Sequence, residues 1–341
     1  MNANVSSSSR SERSVYEGST VLISGGSGSI GLELTRCLLG HNPKEIRLLS
    51  NDENGLFEAR TSLAQYPQVV YKLGDVRETR SVDEATRDCQ VVFHAAASKH
   101  VVFCEENPYE AVSTNVIGTK NMIDSAIEHK VQRFVFISTD KAVNPIGVMG
   151  ATKLLGEKLV LLASRATEKP VFSVVRFGNV LGSRGSVLRI FERQVRDGSP
   201  LTVTDPQMTR FIMLPRDAAQ LVLRAADFAM TGEILVLKMR AVKIGDLADA
   251  GREFYSRMYG KDPARMVFST IGARTGEKMH EELMTLSETT ATVETDSFYI
   301  VNPNPRRSLS AKRSPNVLEG YSSDVAPLIS REETVAMLSR L

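Results

Sequence analysis

The chain has 341 residues, of which 42% are hydrophobic and 24% charged, and its formal net charge is +2. This near-neutral balance predicts no general attraction to nucleic acid or to anionic membrane. No apolar run approaches the ~20 residues of a membrane helix, and the N-terminus has no apolar signal core, so we expect a cytoplasmic protein without membrane insertion. The three cysteines and five histidines follow no metal-ligand spacing, which predicts no metal site.

Residues 1–14 are rich in Ser and Arg and predict a disordered tail, after which apolar runs alternate with segments of helical periodicity. The runs are short and bounded by turn residues, as buried parallel strands are, and they lie at 20–24, 46–50, 69–73, 91–95, 134–138 and 172–177. Strands that alternate with helices predict an α/β fold built on a Rossmann doubly wound parallel sheet.

The alternation becomes irregular after Asn179, and we expect a smaller α/β C-terminal lobe that binds substrate. The predicted division is an NAD(P)-binding Rossmann domain at 15–182, to which the chain returns at about 211–240. The lobe is then assigned to residues 183–210 and 241–341.

A glycine-rich segment, Gly25 to Gly31, joins the first predicted strand to the first helix. Small residues let the backbone approach a pyrophosphate, and the helix N-terminus offers unpaired N–H groups and a positive dipole end. An ordinary strand-to-helix turn also collects glycine, but this position between strand and helix favours a dinucleotide site. The residues expected to bind the cofactor here are Gly25, Gly28, Ser29, Ile30 and Gly31.

Three further strand ends are expected around the cofactor. Asp52, about 20 residues beyond the glycines, is placed to accept a hydrogen bond from a ribose 2′-hydroxyl, although it could equally cap the next helix. NAD and NADP therefore both stay open. Asp75 and Val76 follow the third strand, where adenine would lie. The residues after the fourth strand are small enough to pass close to the cofactor: Ala95, Ala96 and Ala97.

The fifth predicted strand ends in Ser138-Thr139-Asp140-Lys141, and ligands in this architecture bind at such strand ends. Met149 and Lys153 follow, four residues apart on one face of a predicted helix. Short-chain dehydrogenases carry Tyr-x-x-x-Lys here, and methionine cannot transfer a proton. Taken alone, these residues are also compatible with an inactive site, with a surface ion pair at Asp140 and Lys141 and with simple packing of Met149.

The run from Ser138 to Lys153, STDKAVNPIGVMGATK, closely resembles the UDP-N-acetylglucosamine 4,6-dehydratases of capsule, O-antigen and protein-glycan synthesis. This CapD-like family belongs to the extended short-chain dehydrogenases/reductases, and many of its members also carry methionine at the tyrosine position. The resemblance covers nearly all of the chain after the tail. Other matching stretches are HAAASKHV, NPYEAVSTNVIGT, RFGNVLGSRGSV, TDPQMTRF, GEILVLKM, RTGEK and YSSD.

The resemblance implies a dehydration that uses tightly bound NAD or NADP. Hydride leaves carbon 4 of the sugar, water is eliminated across carbons 5 and 6, and the hydride returns to carbon 6. By resemblance Lys141 is the base at carbon 5 and Asp140 the acid at carbon 6. Lys153 would bind the nicotinamide ribose, with Thr139 nearest the carbon 4 hydroxyl. A base at Lys141 requires a lowered pKa, which we expect from desolvation and from Lys153.

The resemblance also assigns residues to UDP-N-acetylglucosamine or a related UDP-sugar. Guanidinium groups suit phosphate oxygens, and the arginines expected near the diphosphate and nucleotide are Arg184, Arg210 and Arg274. The other residues expected at the substrate are Lys99, Asn179, Ser186, Val187 and Glu277. Asn115 is expected beside the cofactor, where it braces the active-site backbone. Relatives of this kind form homo-oligomers, either dimers or hexamers.

Two other functions stay open from the sequence. A UDP-sugar 4-epimerase shares the predicted fold, cofactor and keto intermediate, but it has no need of Asp140 beside Lys141. A non-catalytic nucleotide-binding protein is suggested only by Met149, and the presence of Lys153 argues against it. We therefore expect the dehydratase.

Overall fold

The computed structural model describes residues 14–273, 276–307 and 320–341. In the first half of the chain, strands and helices alternate as the apolar runs predict. The elements in chain order are β1 (Thr20–Ser24), α1 (Ser29–Leu39), β2 (Glu45–Ser50), α2 (Glu53–Ser62), β3 (Val69–Leu73), α3 (Thr79–Thr86), β4 (Val91–His94), α4 (Val101–Glu106), α5 (Pro108–Val112), a π-helical turn (Ser113–Ile117), α6 (Gly118–Glu128), β5 (Arg133–Thr139), a 3₁₀ turn (Asp140–Ala142), α7 (Val148–Ala166) and β6 (Val171–Phe177).

The second half is less regular and mixes short strands with helices. Its elements are β7 (Asn179–Val180), α8 (Val187–Asp197), β8 (Leu201–Val203), β9 (Thr209–Met213), α9 (Pro215–Phe228), β10 (Glu233–Leu237), β11 (Arg240–Lys243), α10 (Ile244–Met258), a 3₁₀ turn (Pro263–Arg265), β12 (Phe268–Thr270), β13 (Glu282–Met284), α11 (Leu286–Thr289), β14 (Val293–Glu294), β15 (Phe298–Val301), β16 (Tyr321–Ser322) and α12 (Arg331–Leu338).

The main sheet contains nine of the described strands, in the order β14-β15-β10-β6-β5-β4-β1-β2-β3. The seven strands from β10 to β3 in this order run parallel, whereas β15 pairs antiparallel with β10. Because β1 lies between β2 and β4, the connections after β1 and β4 leave the sheet in opposite directions and open a crevice at its carboxyl edge. The predicted Rossmann doubly wound fold is confirmed.

The sheet is stable because its central strands are mainly apolar and buried. Every residue of β1 and of β4 is buried. Helix α1 packs against α9, and α6 packs against α3 and α7, so helices cover the sheet. Strands that are covered on both faces have nearly continuous apolar runs rather than an alternating pattern. These runs are the pattern that predicted the strands from the sequence.

A second apolar core supports the C-terminal lobe, and it lies between α8, α10 and α12. Its larger side chains include Phe191, Leu201, Leu247 and Tyr255. Two small sheets border it, one of order β11-β9-β7 and one of order β12-β8. No helix within the described ranges is both long and apolar enough to span a membrane.

The structure differs from the predicted division of the chain at one place. Residues 241–341 were assigned to the lobe, but β14 and β15 lie within this range and extend the main sheet. The reason is that β10 would otherwise expose an unpaired edge, and β15 covers it with three buried residues of its four. No local pattern in β14 or β15 distinguishes a strand at the edge of the main sheet from a strand of the lobe.

A fully buried ion pair fastens α7 to the sheet. Arg176 on β6 donates through Nε and Nη2 to the two carboxylate oxygens of Glu157, at 2.8 and 2.7 Å. Glu288 accepts from the same guanidinium at 2.9 and 3.0 Å, and Ser138 donates to Glu157 at 2.6 Å. The pair therefore joins the helix that carries Met149 and Lys153 to the strands that end at the crevice.

Candidate active site

The glycine loop lies at the crevice in a conformation that a side chain would prevent. Gly25 has a φ of +69°, and a Cβ on it would lie 2.7 Å from the backbone nitrogen of Ala96. A Cβ on Gly31 would lie 2.6 Å from the carbonyl oxygen of Gly25. The loop ends at Gly28, the N-cap of α1, so the helix N-terminus points into the crevice. This geometry provides an unobstructed cradle for a pyrophosphate.

Two cavities meet at the carboxyl edge of the sheet. The first, which we call the inner cavity, has a volume of about 330 Å³. Predicted site residues that line it are Gly25, Gly28, Ser29, Ile30, Gly31, Ala95, Ala97, Thr139, Lys141, Met149 and Lys153. The predicted residues that meet in this cavity therefore come from three separate strand ends, those of β1, β4 and β5, and from α7.

The second, which we call the outer cavity, has a volume of about 340 Å³ and extends between the crevice and the lobe. Predicted substrate residues that line it are Lys99, Asn179, Arg184, Ser186, Val187, Arg210 and Glu277. The residues that line both cavities are Lys99, Lys141, Asn179, Val180 and Ser183. Lys141 therefore faces the place where a ligand in one cavity would meet a ligand in the other.

Thr139, Asp140 and Lys141 form a hydrogen-bonded cluster at the end of β5. The Thr139 hydroxyl donates to Asp140 Oδ1 at 2.7 Å, and Lys141 Nζ donates to the same oxygen at 3.0 Å. Asp140 is fully buried, and its Oδ2 has no hydrogen-bond partner among the described residues. Asp140 lies behind its two neighbours, because both Thr139 and Lys141 line the inner cavity.

The charge environment of Lys141 differs from the prediction. Burial alone would lower the pKa of its ammonium group, but the carboxylates of Asp140 and Glu281 outweigh burial and raise this pKa above its ordinary value. The expected lowering by Lys153 is wrong, because two carboxylates lie within 3.3 Å of Lys141 Nζ. In the resting cluster Lys141 is therefore a charged donor, which also donates to Asn179 Oδ1 at 3.4 Å.

Sequence reasoning missed Glu281. Its side chain is 4% exposed and lies 3.3 Å from Lys141 Nζ and 3.6 Å from Arg210 Nε. The Ser323 hydroxyl accepts from the Glu281 N–H at 2.9 Å, and the Ser323 N–H donates to the Glu281 carbonyl at 2.8 Å. No local pattern marks this glutamate, because it reaches Lys141 from a segment 140 residues further along the chain. Its only signal was its place three residues after the end of the matching RTGEK stretch.

Met149 and Lys153 lie side by side on α7, as their spacing predicts. Met149 is 5% exposed and packs against Cys104 and Ala111. Lys153 Nζ donates to the Ile137 carbonyl at 2.6 Å and lies 3.9 Å from the centre of the Phe136 ring. Burial lowers the pKa of Lys153 to about 7, although Glu157 opposes this shift. The pKa of Lys153 is therefore lowered, unlike that of Lys141, and burial followed by Arg184 lowers the pKa of Lys99 as well.

A chain of buried hydrogen bonds braces the loop that follows β4. His94 Nδ1 lies 2.6 Å from the Ser24 hydroxyl, and His94 Nε2 lies 2.9 Å from Thr119 Oγ1. The Thr119 hydroxyl donates to the Asn115 carbonyl, so His94 donates from Nε2 and accepts at Nδ1. Burial, with Lys153 as a smaller cause, lowers the pKa of His94 to about 3, so the imidazole is neutral.

Asn115 belongs to this brace and lines neither the inner nor the outer cavity. Its amide accepts from the Ser98 N–H at 2.7 Å and donates to the Ser98 carbonyl and the Thr152 hydroxyl. Asn115 therefore braces the loop after β4, as predicted. It does not contact the inner cavity, because the π-helical turn holds it behind that loop.

Arg184 lines the outer cavity, and its guanidinium is held by two carboxylates. It pairs with Asp52 Oδ2 and Glu58 Oε2, each at 3.0 Å. Its N–H donates to Ser29 Oγ at 3.0 Å, and its carbonyl accepts from Lys99 Nζ at 3.0 Å. Segment 183–186 therefore crosses the glycine loop, and this crossing directs the Arg184 guanidinium toward α2.

The remaining predicted residues are held by neighbouring side chains. Asp52 caps α2 by accepting from the Gly55 N–H at 2.9 Å, which was one of its two predicted roles. Asp75 accepts from Asn51 and Arg77, and although burial raises the pKa of Asp75, the hydrogen bonds from Arg77 leave it below its ordinary value. Val76 is buried, and Arg274 lies outside the described residues.

Three features define an extended short-chain dehydrogenase/reductase. They are the doubly wound sheet, the glycine cradle, and the two lysines that follow β5 and lie near the start of α7. Within this class, the chain belongs to the family described as polysaccharide biosynthesis proteins, which it matches over residues 21–303. The predicted CapD-like resemblance is therefore confirmed.

Several relatives match most of the chain. MJ1061 of Methanocaldococcus jannaschii, named an uncharacterized membrane protein, is 43% identical over 328 residues, which are 96% of this chain and 97% of MJ1061. A UDP-glucose 4-epimerase of Rickettsia canadensis is 38% identical over 335 residues, covering 94% of this chain and 96% of the epimerase. The capsular polysaccharide biosynthesis protein CapD of Staphylococcus aureus is 42% identical over 276 residues. These residues are 79% of this chain but only 45% of CapD, so the match covers about half of that relative.

A solved structure agrees with the whole of the fold. The crystal structure of Pen from Bacillus thuringiensis superposes with a TM-score of 0.87 and is 37% identical, covering 96% of this chain and 98% of Pen. Both the parallel sheet and the lobe are therefore shared with a protein of nearly the same extent.

Proposed function

We propose that this protein is an NAD(P)-dependent UDP-N-acetylglucosamine 4,6-dehydratase that supplies a 4-keto-6-deoxy sugar for glycan biosynthesis. The observation that carries the proposal is the ion pair between Lys141, which lines both the inner and the outer cavity, and Asp140, which is buried directly behind it. Oxidation and reduction at a sugar need only a dinucleotide and a proton acceptor, whereas elimination of water needs a further acid and a further base. The pair supplies both, one residue apart.

The inner cavity fits a nicotinamide dinucleotide. The glycine cradle would hold the pyrophosphate, and Lys153 at the other end would bind the nicotinamide ribose. When bound, the nicotinamide takes the hydride of carbon 4 and returns it to carbon 6. Met149 would close the dry side of this cavity, since its thioether packs against apolar neighbours and exchanges no proton.

The outer cavity suits a nucleotide diphosphate. Arg210, 11% exposed, lines it together with Lys99 and the N-terminus of α8 at Ser186 and Val187. A helix N-terminus and a guanidinium both favour phosphate oxygens. Asn179 and Lys141 would then meet the sugar, because these residues border the inner cavity as well.

The cluster at the end of β5 can carry one proton from carbon 4 to carbon 6. As hydride leaves carbon 4, the proton of its hydroxyl passes through Thr139 to Asp140, whose Oδ1 is 2.7 Å from the Thr139 hydroxyl. Because Asp140 lies behind Thr139 and Lys141 and lines neither cavity, it would return this proton through the Thr139 hydroxyl to the oxygen that leaves carbon 6 as water. Asp140 begins and ends the cycle as a carboxylate, which agrees with its ion pair to Lys141 at 3.0 Å.

Lys141 would act separately at carbon 5. The 4-keto group acidifies the hydrogen on carbon 5, and Lys141 Nζ takes it to leave an enolate. After elimination Lys141 returns one of its three N–H protons, which exchange with solvent, to carbon 5. Because the resting ammonium is held charged by two carboxylates, Lys141 must first lose a proton within the cluster.

A UDP-sugar 4-epimerase is the second candidate. The Rickettsia canadensis relative, which this chain matches over 96% of its length, is named a UDP-glucose 4-epimerase. It would use the same cofactor and the same keto intermediate without eliminating water. Asp140 and Lys141 would then have no proton to move at carbons 5 and 6.

One incubation separates the two candidates. The purified protein is incubated with UDP-N-acetylglucosamine and NAD or NADP in deuterated water, and the product is analysed by mass spectrometry and proton NMR. We expect loss of one water, a new methyl signal at carbon 6 and deuterium at carbon 5. An unchanged composition with a new sugar configuration would instead identify an epimerase.

The methionine at the tyrosine position leads to a prediction about two variants. Met149→Ala removes packing against Cys104 and Ala111 but no proton carrier, so we expect turnover to fall less than about tenfold. Thr139→Val removes the hydroxyl that relays the carbon 4 proton, and we expect a loss of ~10²-fold or more. Turnover at saturating substrate is measured, with folding checked by thermal melting. A folded but inactive Met149→Ala beside a nearly normal Thr139→Val would contradict the proposed first step.

A further inference from the structure

Glu281, which has no role in the proposed reaction, places a second carboxylate beside Lys141. Glu281 Oε1 is 3.3 Å from Lys141 Nζ, and Asp140 Oδ1 is 3.0 Å from it. Glu281 lines the outer cavity together with Lys141, and both also line a small cavity beside Met149. The amine that would face carbon 5 therefore contacts two carboxylates, of which only Asp140 has a role in the proposed reaction.

Asp140 cannot take the proton that Lys141 has to lose. Its carboxylate carries the proton that travels from carbon 4 to carbon 6, and its Oδ1 already accepts from Thr139 and from Lys141. If it also took the lysine proton, it would hold two protons during the elimination. A second acceptor within reach of Lys141 Nζ is needed, and Glu281 is the acidic residue in that position.

We infer that Glu281 is a proton-exchanging partner of Lys141, which takes one ammonium proton before each elimination and returns it afterwards. This inference rests on the proposed dehydration. Because Glu281 acts through Lys141, it is a positioning residue rather than a group that touches the sugar. Its burial and its two backbone hydrogen bonds to Ser323 hold the carboxylate at this distance while substrate is bound.

The proton steps balance without any other reactant. An N–H bond of the Lys141 ammonium breaks, its electron pair stays on nitrogen, and an O–H bond forms at Glu281. The free pair on nitrogen then takes the carbon 5 proton, and the electrons of that C–H bond remain as the enolate. When carbon 6 has been reduced, Lys141 returns a proton to carbon 5 and takes back the proton from Glu281. None of these steps oxidises or reduces a group.

The surrounding charges make the exchange feasible. Burial raises the pKa of Glu281, and Asp140 adds to this, while Lys141 and Arg210 oppose it. Lys278 lines the same small cavity and adds a further positive group on this side. Two carboxylates and two close cations give a cluster of no net charge, so moving one proton from Lys141 to Glu281 changes no total charge. Such an internal transfer needs no proton from solvent.

The inference predicts a specific pH dependence. In the wild type, Lys141 and Glu281 share one proton across neutral pH. The fraction of neutral Lys141 therefore stays constant, and kcat should be flat between about pH 6.5 and 8.5. In Glu281→Gln the proton must leave to solvent, so kcat rises about tenfold per pH unit across this range. At pH 7 we expect Glu281→Gln to lose ~10²-fold in kcat.

Four proteins are compared in the experiment: the wild type, Glu281→Gln, Glu281→Asp and Glu282→Gln. Glu281→Asp keeps a carboxylate and should keep a flat profile. Glu282 is the matched control, because its side chain is 34% exposed, faces Lys278 and lies outside both cavities. Glu282→Gln should keep the wild-type rate and profile. kcat is measured from water elimination at each pH, with substrate saturation checked separately.

The outcomes separate the inference from the proposed function. A rising profile for Glu281→Gln alone supports the exchange. If the pH profile of kcat for Glu281→Gln runs parallel to that of the wild type, at any absolute rate, Glu281 has a structural role and the inference is overturned. The proposed dehydratase function is not affected by that result. If the wild type eliminates no water from UDP-N-acetylglucosamine, the proposed function fails, and the inference fails with it.

Discussion

Replacing Lys141 with Met is expected to abolish dehydration while leaving the fold and the cofactor site in place. The variant keeps the length of the side chain but has no nitrogen to take the carbon 5 proton, and loss of general-base catalysis costs ~10²–10⁴-fold. Oxidation at carbon 4 does not use this nitrogen. We therefore expect reduced nicotinamide to accumulate on the enzyme in a single turnover, with no methyl product, as measured by absorbance and by mass spectrometry.

Two further variants show whether the lysine acts as a base or only as a cation. Lys141→Arg keeps a positive charge between Asp140 and Glu281 but cannot be deprotonated, so it should be as inactive as Lys141→Met. Lys158→Met removes an exposed lysine from α7 and should have wild-type activity. Product formation by Lys141→Arg near the wild-type rate would show that Lys141 stabilises charge and does not carry the proton.

The largest loss of stability is expected when the buried carboxylate of Glu157 is removed. Glu157→Ala leaves the Arg176 guanidinium, only 2% exposed, with Glu288 as its remaining carboxylate partner. Removing one member of a buried ion pair typically costs about 3–5 kcal/mol, a large part of the 5–15 kcal/mol by which domains are stable. The free energy of unfolding is measured by urea denaturation.

Glu157→Gln tests whether charge or shape matters, because the amide fills the same space and can accept one of the two hydrogen bonds from Arg176. The free energy of unfolding of Glu157→Gln should lie between that of the wild type and that of Glu157→Ala. The control is Glu84→Ala, which removes an exposed carboxylate paired with Arg80 and should leave the free energy of unfolding almost unchanged. Equal effects of Glu84→Ala and Glu157→Ala would contradict the argument from burial.

The sequence was informative where structure depends on nearby residues. Apolar runs located the central strands because these are buried on both faces, and the glycine spacing located the cradle because Gly25 and Gly31 leave no room for a Cβ. Met149 and Lys153 were placed on one face of α7 because the helical period fixes their relation. In each case the pattern that carries the signal lies within a few residues or within one element.

It was uninformative where two distant segments meet. The pKa of Lys141 depends on Glu281, which the lobe brings within 3.3 Å, and no spacing encodes that approach. Arg184 was assigned to the diphosphate by its motif, but its direction depends on where segment 183–186 crosses Ser29. The two carboxylates that pair with the Arg184 guanidinium belong to Asp52 and Glu58, which precede Arg184 by more than 120 residues.

The strand order of the main sheet also affects how the protein is made. Strand β6 pairs with β10, and β10 pairs with β15, so the sheet is completed only by residues near 301. At about 5–20 residues per second, a ribosome leaves the edge of β6 unpaired for several seconds after it has emerged. An apolar strand with an open edge is a site of aggregation. Chains that end before β15 are therefore expected to aggregate more readily than the 341-residue chain, as measured by light scattering at equal concentration.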